Sequence, residues 1–128
     1  MSYEGGRTEP PPKQGDLHVL TRDYALRILR LYGALPEHTE AQVLGKQVLR
    51  SGTSVGAQYR VATRSRSPAE FISKMEGALQ ELEGTAYWLE LLGAGKMLPE
   101  SRLAALRAET NELIAMFVAS VKTVKARR

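Results

Sequence analysis

The chain contains 128 residues and has a mass of 14.1 kDa, which is the size of one domain. It has no cysteine and only two histidines, which excludes disulfides, thiolate zinc sites and cysteine nucleophiles. Hydrophobic residues make up 43% of the sequence and charged residues 25%, enough for a buried core and a solvated surface. We therefore expect a small protein without cofactor, metal or enzymatic activity, whose function depends on its surfaces and partners.

The sequence also argues against a membrane partner. The longest nearly apolar stretch, residues 113–121, is half the length of the roughly 20 residues that a membrane-spanning helix needs. No basic segment followed by an apolar one begins the chain, so we expect no signal peptide and a cytoplasmic location.

The formal net charge of +4 is distributed unevenly along the chain. Residues 17–67 carry eight basic and three acidic side chains, whereas residues 68–95 carry one basic and five acidic ones. Between residues 41 and 69 there are five basic residues and no acidic one. Such asymmetry indicates a charged surface that contacts a partner or a neighbouring segment of the chain.

Residues 1–16 contain glycines, a run of three prolines and no apolar period, so we predict a disordered N-terminal arm. From residue 17 to residue 128 a helical period of three or four residues recurs, which predicts the folded domain. In the first helix this period places one set of side chains on the inner face: Leu17, Leu20, Tyr24, Ile28, Leu31 and Leu35. Pro36 and the polar residues after it predict the end of this helix.

A second helix is predicted from about residue 40, with an inner face of Leu44, Val48, Val55, Tyr59 and Ala62. Three glycines lie inside it, namely Gly45, Gly52 and Gly56. In a helix interior each glycine costs roughly 1 kcal/mol relative to alanine. We interpret them as points of close contact with a neighbouring backbone; a bend or a loosened turn is the alternative.

The third helix begins with the clearest local signal in the sequence. Ser67 is the predicted N-cap, Pro68 the first helical residue and Glu70 the partner in a capping box. The inner face of this helix carries Phe71, Met75, Ala78, Leu82, Leu89 and Leu92, and two glycines at 93 and 95 predict its end. A fourth helix, from about residue 99, has an inner face of Leu103, Leu106, Leu113, Phe117, Val121 and Val124. Four amphipathic helices with short links predict an all-α fold, an antiparallel up-and-down four-helix bundle.

Two patterns that are typical of catalytic or metal sites are rejected on their context. Residues 52–56 match the G-x-S-x-G pattern of a hydrolase nucleophile, but no strand precedes Ser54 and no histidine follows it. Neither His18 nor His38 has a glutamate three residues before it, as dinuclear metal sites in bundles require. We therefore expect both histidines on the surface and predict no catalytic residue and no metal site.

The second helix is predicted to carry a basic stripe about 27 Å long, at a rise of about 1.5 Å per residue. Together with one basic residue in the following link, its members are Lys46, Arg50, Arg60, Arg64 and Arg66. Arginine binds phosphate oxygens bidentately, so these residues are candidates for contacts with RNA or DNA. The alternative is a salt-bridged face, because Glu76, Glu83 and Glu90 recur every seven residues along the third helix and can neutralise a basic neighbour within the bundle or across subunits.

Several segments together resemble a known family. They are residues 54–60 (SVGAQYR), 62–67 (ATRSRS), 71–75 (FISKM), 78–82 (ALQEL) and 85–92 (TAYWLELL). These segments resemble the bacterial four-helix-bundle proteins encoded in intervening sequences of large-subunit ribosomal RNA genes. The same superfamily includes the accessory variability proteins of diversity-generating retroelements. The resemblance extends over roughly residues 17–122 and marks no catalytic residue.

This resemblance implies an up-and-down bundle that assembles as a ring-like homopentamer. For the retroelement members it also implies a basic surface that binds nucleic acid and a reverse transcriptase as partner, whereas the ribosomal-insertion members have no settled activity. Gln58 stands where the family pattern has asparagine, and Val61 stands where an acidic residue is common. The second difference makes this region more basic and favours a retroelement-like function.

Two hypotheses follow. The first is a non-enzymatic nucleic-acid-binding accessory protein that acts as a basic homopentamer and contacts phosphates through the basic stripe. The second is a structural adaptor whose charged stripes pair subunits or recruit another protein.

Overall fold

The computed structural model describes residues 17–127, which form four α-helices and, within that range, no strand. The helices are α1 (Leu17–Gly33), α2 (Thr39–Thr63), α3 (Pro68–Ala94) and α4 (Glu100–Arg127). This confirms the predicted all-α, four-helix architecture. The predicted N-terminal arm, residues 1–16, lies outside the described residues. Of these four helices, none combines the length and the apolar character needed to cross a membrane.

Short links and cross-helix contacts define the topology of the bundle. The links contain only residues 34–38, 64–67 and 95–99, so successive helices lie side by side and antiparallel. Near the end of α4, for example, the Lys125 ammonium lies 3.4 Å from the carboxylate of Glu76 near the start of α3. Successive helices pack along their lengths, whereas α1 and α4 touch much less extensively. The chain is thus an up-and-down bundle.

The three glycines of α2 lie against α1. A Cβ atom on Gly52 would stand 2.8 Å from Cγ1 of Ile28, and one on Gly56 would stand 3.0 Å from Oγ1 of Thr21. A Cβ atom on Gly45 would collide with the side chain of Leu35. The helix is continuous from residue 39 to residue 63. The glycines are therefore points of close contact and the helix does not loosen there, but they meet mainly side chains and not the neighbouring backbone that was predicted.

A layer of hydroxyl groups crosses the middle of the core and includes one side chain from each helix. The Tyr24 hydroxyl lies 2.7 Å from Oγ1 of Thr110, and Oγ of Ser51 lies 2.6 Å from Oγ1 of Thr85. Burial raises the pKa of Tyr24 from its ordinary 10.0 to about 12. Because each buried hydroxyl has a partner, the hydrogen bonds of this layer offset the cost of desolvation while they favour one register of the helices.

The predicted inner faces need small corrections. Ile72 is buried and Phe71 is only partly buried, so α3 is rotated by about one residue from the predicted seam at its start. Three other residues assigned to the core are also only partly buried, namely Leu20, Leu44 and Val124. These side chains lie at the border between the buried and the exposed face of each helix, where the sequence period alone does not determine the rotation of the helix about its axis.

The helix ends follow the sequence in part. Ser67 Oγ accepts a hydrogen bond from the Glu70 amide at 3.1 Å, which confirms the predicted N-cap. The Glu70 carboxylate reaches back to the amide of Arg66 at 2.8 Å, one residue earlier than in a standard capping box. At the end of α3 the left-handed residue is Lys96, with φ of 61°, and not a glycine. The first helix ends at Gly33, ahead of Pro36.

The glycine contacts predict a specific effect on stability. Gly52→Ala adds a methyl group against three carbons of Ile28, so overpacking should outweigh the gain in helix propensity. Gly84→Ala is the matched control, because its Cβ would meet only Nε1 of Trp88 at an ordinary 3.7 Å. In urea denaturation we expect the unfolding free energy of Gly52→Ala to lie about 1–2 kcal/mol below that of Gly84→Ala. Equal stability of the two variants would contradict the close contact.

Candidate nucleic-acid interface

The five predicted site residues lie on one side of the bundle. Lys46, Arg50 and Arg60 are exposed along α2, Arg64 is the C-cap of that helix, and Arg66 is exposed in the link to α3. Steps of three and four residues along α2 keep these positions on one face. The opposite face of α2 holds core residues that fix the rotation of the helix, among them Val48, Val55 and Tyr59.

Three of the five predicted site residues form a compact group. Arg60, Arg64 and Arg66 line one depression of about 300 Å³, together with Val61 and Glu70. Within residues 17–127 no carboxylate lies within salt-bridge distance of these three guanidinium groups. The carboxylate of Glu70 accepts instead from the Arg66 amide. We call Arg60, Arg64 and Arg66 the arginine cluster.

The other half of the stripe differs in its pairing. Nη1 of Arg50 lies 3.3 Å from the carboxylate of Glu81 on α3, while no described carboxylate pairs with Lys46. The predicted carboxylate partners of the stripe were Glu76, Glu83 and Glu90, and for Arg50 this prediction is wrong. Glu81 lies on the side of α3 that is next to α2. The seven-residue repeat of Glu76, Glu83 and Glu90 marks a different side of the helix and therefore does not identify it.

The predicted acidic stripe of α3 turns away from α2. Glu76 pairs with Lys125 of α4, and Glu83 and Glu90 line a depression of about 300 Å³ beside Arg107 of α4. The bundle therefore places its basic and acidic surfaces on different sides. Neutralisation of the arginine cluster by this stripe within one chain is excluded by the arrangement of the helices.

The structure also places the rejected motifs. Ser54 lies inside the continuous α2 helix, and its hydroxyl donates to the carbonyl oxygen of Arg50 at 2.6 Å. In the part of the chain that the structure describes, no three His, Asp or Glu side chains approach closely enough to share a metal ion. His38 is exposed as expected, but the ring of His18 is half-buried, 4.8 Å from the ring of Tyr59. The expectation of a surface position is wrong for His18.

Sequence reasoning identified all members of the arginine cluster but not their convergence. The four-residue link 64–67 turns the chain back on itself, which brings Arg66 beside the last turn of α2. A signal for this was present in the sequence, since Ser67 and Pro68 begin a new helix only three residues after Arg64.

The absence of internal partners predicts that the arginine cluster contributes little to folding. Arg60→Gln combined with Arg64→Gln should leave the melting temperature unchanged. Arg27→Gln is the contrasting control, because Nε of Arg27 donates to the Glu109 carboxylate at 2.7 Å and links α1 to α4. This bond also raises the pKa of Arg27. We expect a lower melting temperature for Arg27→Gln only; a comparable loss in the double variant would show that the cluster is structural.

Comparisons with known proteins agree with this architecture. A crystal structure of a protein of unknown function from the S23 ribosomal protein family of Bacteroides thetaiotaomicron VPI-5482 is similar to the chain. The two share 34% sequence identity and superpose with a TM-score of 0.78, over 83% of this chain and 98% of that one. No curated protein sequence matches the chain significantly.

The family assignment extends over most of the sequence. Residues 16–119 match the family described as 23S rRNA-intervening sequence protein; this range includes α1, α2, α3, the first twenty residues of α4 and the whole arginine cluster. The match agrees with the resemblance to that family, which extends over roughly residues 17–122. The chain belongs to the family of 23S rRNA-intervening sequence proteins.

Proposed function

We propose that the protein binds nucleic acid without enzymatic activity, through the exposed face of α2 and the link that follows it. The observation that carries this proposal is the arginine cluster, three guanidinium groups around one depression and without a carboxylate partner among the described residues. Unpaired arginines keep their five donors available for phosphate oxygens.

The two halves of the stripe have different roles in this proposal. The arginine cluster makes the primary phosphate contacts. Lys46 and Arg50 extend the path along α2, and Arg50 must leave Glu81 or share its guanidinium to contribute. Because the pair with Glu81 is exposed, its loss costs little. We therefore assign the larger share of affinity to the end of α2.

The biological role that we propose rests on a resemblance between sequences. The sequence resembles accessory variability proteins of diversity-generating retroelements as well as the ribosomal-insertion proteins, and in that role the protein supports a reverse transcriptase. The hydrophobic residue at 61, which lines the arginine depression, leaves the cluster more basic than an acidic side chain would. A reverse transcriptase and its RNA are thus the partners that we propose for the basic face.

We also propose that the protein acts as a homopentamer. The outer face of α1, opposite the core, exposes three apolar side chains: Val19 is 51%, Leu26 44% and Leu29 50% exposed. Their spacing of three and seven residues is typical of a seam between helices. In a ring this α1 face contacts a different surface of the next copy, and the basic face of α2 is repeated once in each subunit.

A structural adaptor remains the second candidate. The observation that favours it is the depression on α3 and α4 with Glu83, Glu90 and Tyr87, which suits a cationic side chain of another protein. In this alternative the basic face of one copy contacts the acidic side of another. The adaptor then predicts that loss of the arginine cluster breaks the assembly, whereas the nucleic-acid hypothesis predicts an intact one.

Salt dependence tests the nucleic-acid hypothesis. Four phosphate contacts per chain should give a log–log salt slope of roughly −3 on single-stranded RNA, at about −0.7 per phosphate, with little dependence on sequence. Arg60→Gln with Arg64→Gln should weaken binding for all sequences and reduce the slope by about 1.4. Fluorescence anisotropy at several salt concentrations measures both quantities.

The matched control for this experiment changes the same charge at the opposite end of the bundle. Arg30→Gln with Arg102→Gln removes two exposed arginines, one from the end of α1 and one from the start of α4. This variant should keep most of the affinity and the slope. An equal loss in both double variants would show a nonspecific effect of net charge and reject the proposed face.

The mass in solution tests the oligomer. Light scattering after size exclusion should give about five times 14.1 kDa for the wild-type chain. Leu26→Gln with Leu29→Gln removes apolar surface without disturbing the core, so the helical content should remain while the mass falls. Val43→Gln is the control, since Val43 is as exposed but lies on α2. A wild-type monomer at micromolar concentration would contradict the pentamer.

A further inference from the structure

A further concave site, larger than the two depressions described above, lies at the end of the bundle where α2 turns into α3. It is a cleft of about 600 Å³, within the range of small-molecule sites. The start of α1 contributes His18, α2 contributes Tyr59, the link contributes Ser65, Arg66 and Ser67, and α3 contributes Phe71. We call this cavity the end cleft.

One atom in the end cleft has an unusual position. Oγ of Ser65 is the one buried side-chain nitrogen or oxygen in residues 17–127 that has no hydrogen-bond partner. An unpaired buried hydroxyl costs free energy, whereas every hydroxyl of the central core layer is paired. The residue lines the cleft, so rotation about its Cα–Cβ bond is the movement by which this hydroxyl would donate to a ligand held there.

Two further donors lie beside Ser65 in the chain. Ser67 Oγ accepts a hydrogen bond from the Glu70 amide, which leaves its own proton available for donation. The guanidinium group of Arg66 is exposed, with no carboxylate within salt-bridge distance among the described residues. Two hydroxyl donors and a guanidinium group in three successive residues match the acceptor oxygens of a phosphate group.

The other wall of the end cleft is aromatic. Tyr59 is fully buried and forms its floor, with the half-buried His18 ring edge-on at 4.8 Å. Phe71, on the first turn of α3, is also half-buried. The rings of His18 and Phe71 are the accessible ones, and flat rings at the surface of a cleft are where nucleobases stack.

We propose that the end cleft binds a nucleoside phosphate, with the phosphate at Ser65, Arg66 and Ser67 and the base against the aromatic wall. The ligand is either a free mononucleotide or the 5′-phosphorylated end of a strand. Arg66 lines both the end cleft and the depression of the arginine cluster, so a strand that ends in the cleft continues along α2. The strand-end form rests on the proposed function, whereas binding of a mononucleotide does not.

Titration of the full-length protein with AMP tests the proposal. AMP should bind more tightly than adenosine or inorganic phosphate, because it occupies both walls of the cleft. Ser65→Ala and Arg66→Gln should each weaken AMP binding by about tenfold, the usual effect of one hydrogen bond to a charged group. Isothermal titration calorimetry provides the affinities. AMP that binds no better than phosphate, or equal affinity of the variants and the wild type, overturns the proposal.

Two controls separate a ligand site from a structural one. Ser65→Ala should keep or raise the melting temperature of the free protein, because the hydroxyl has no partner there; a clear fall would assign Ser65 a structural role and overturn its role as a ligand donor. Arg60→Gln lies outside the cleft and should bind AMP as the wild type does. A loss of AMP binding in Arg60→Gln would place the nucleotide in the arginine depression and overturn the assignment to the end cleft.

RNA oligonucleotides distinguish the two sources of the ligand. A higher affinity for a 5′-phosphorylated strand than for the same strand with a 5′-hydroxyl, lost in Ser65→Ala, supports the strand end. Equal affinity for the two strands together with AMP binding supports a free nucleotide. RNA binding without AMP binding overturns the nucleotide site in the end cleft and leaves the proposed function intact. AMP binding without RNA binding supports the nucleotide site and overturns the proposed function.

Discussion

The close contact of α1 with the glycines of α2 determines how the rest of the bundle is arranged. Gly45, Gly52 and Gly56 allow the side chains of α1 to reach the backbone of α2, which brings the two axes nearer than larger residues permit. The loss of helix propensity at three positions is offset by this packing. With one side of α2 fixed against α1 and another packed against α3, the remaining face of the helix lies toward solvent.

This constraint explains the location of the charged surfaces. Core residues and glycines together occupy one half of α2, so the basic stripe lies on the outer half. The layer of hydroxyl groups then fixes the register of α3 and α4 relative to α2, and with it the pairing of Arg50 with Glu81. Of the five stripe residues, Arg50 alone has a carboxylate partner in the described chain, and the arginine cluster at the turn into α3 has none.

Features that depend on local chemistry were predictable from the sequence. The N-cap at Ser67, the four helices and the basic stripe follow from residue types at short spacing. The core positions of Thr85 and Thr110 were not predicted, because a threonine is polar and does not count toward an apolar face. Each is tolerated in the core because its hydroxyl also donates to the backbone of its own helix. The partner of Arg50 and the end cleft were missed because they depend on helix rotation and on contacts between three or more helices.

Photo-cross-linking tests most directly whether nucleic acid contacts the unpaired end of α2. A single-stranded RNA with 4-thiouridine at several positions is irradiated with the protein, and mass spectrometry maps the linked peptides. We predict cross-links concentrated in residues 57–71, with fewer near Lys46 and Arg50 and none in the part of α3 that carries Glu83 and Glu90. Cross-links concentrated on α3 and α4, or spread evenly over all four helices, would contradict a binding face built on the arginine cluster.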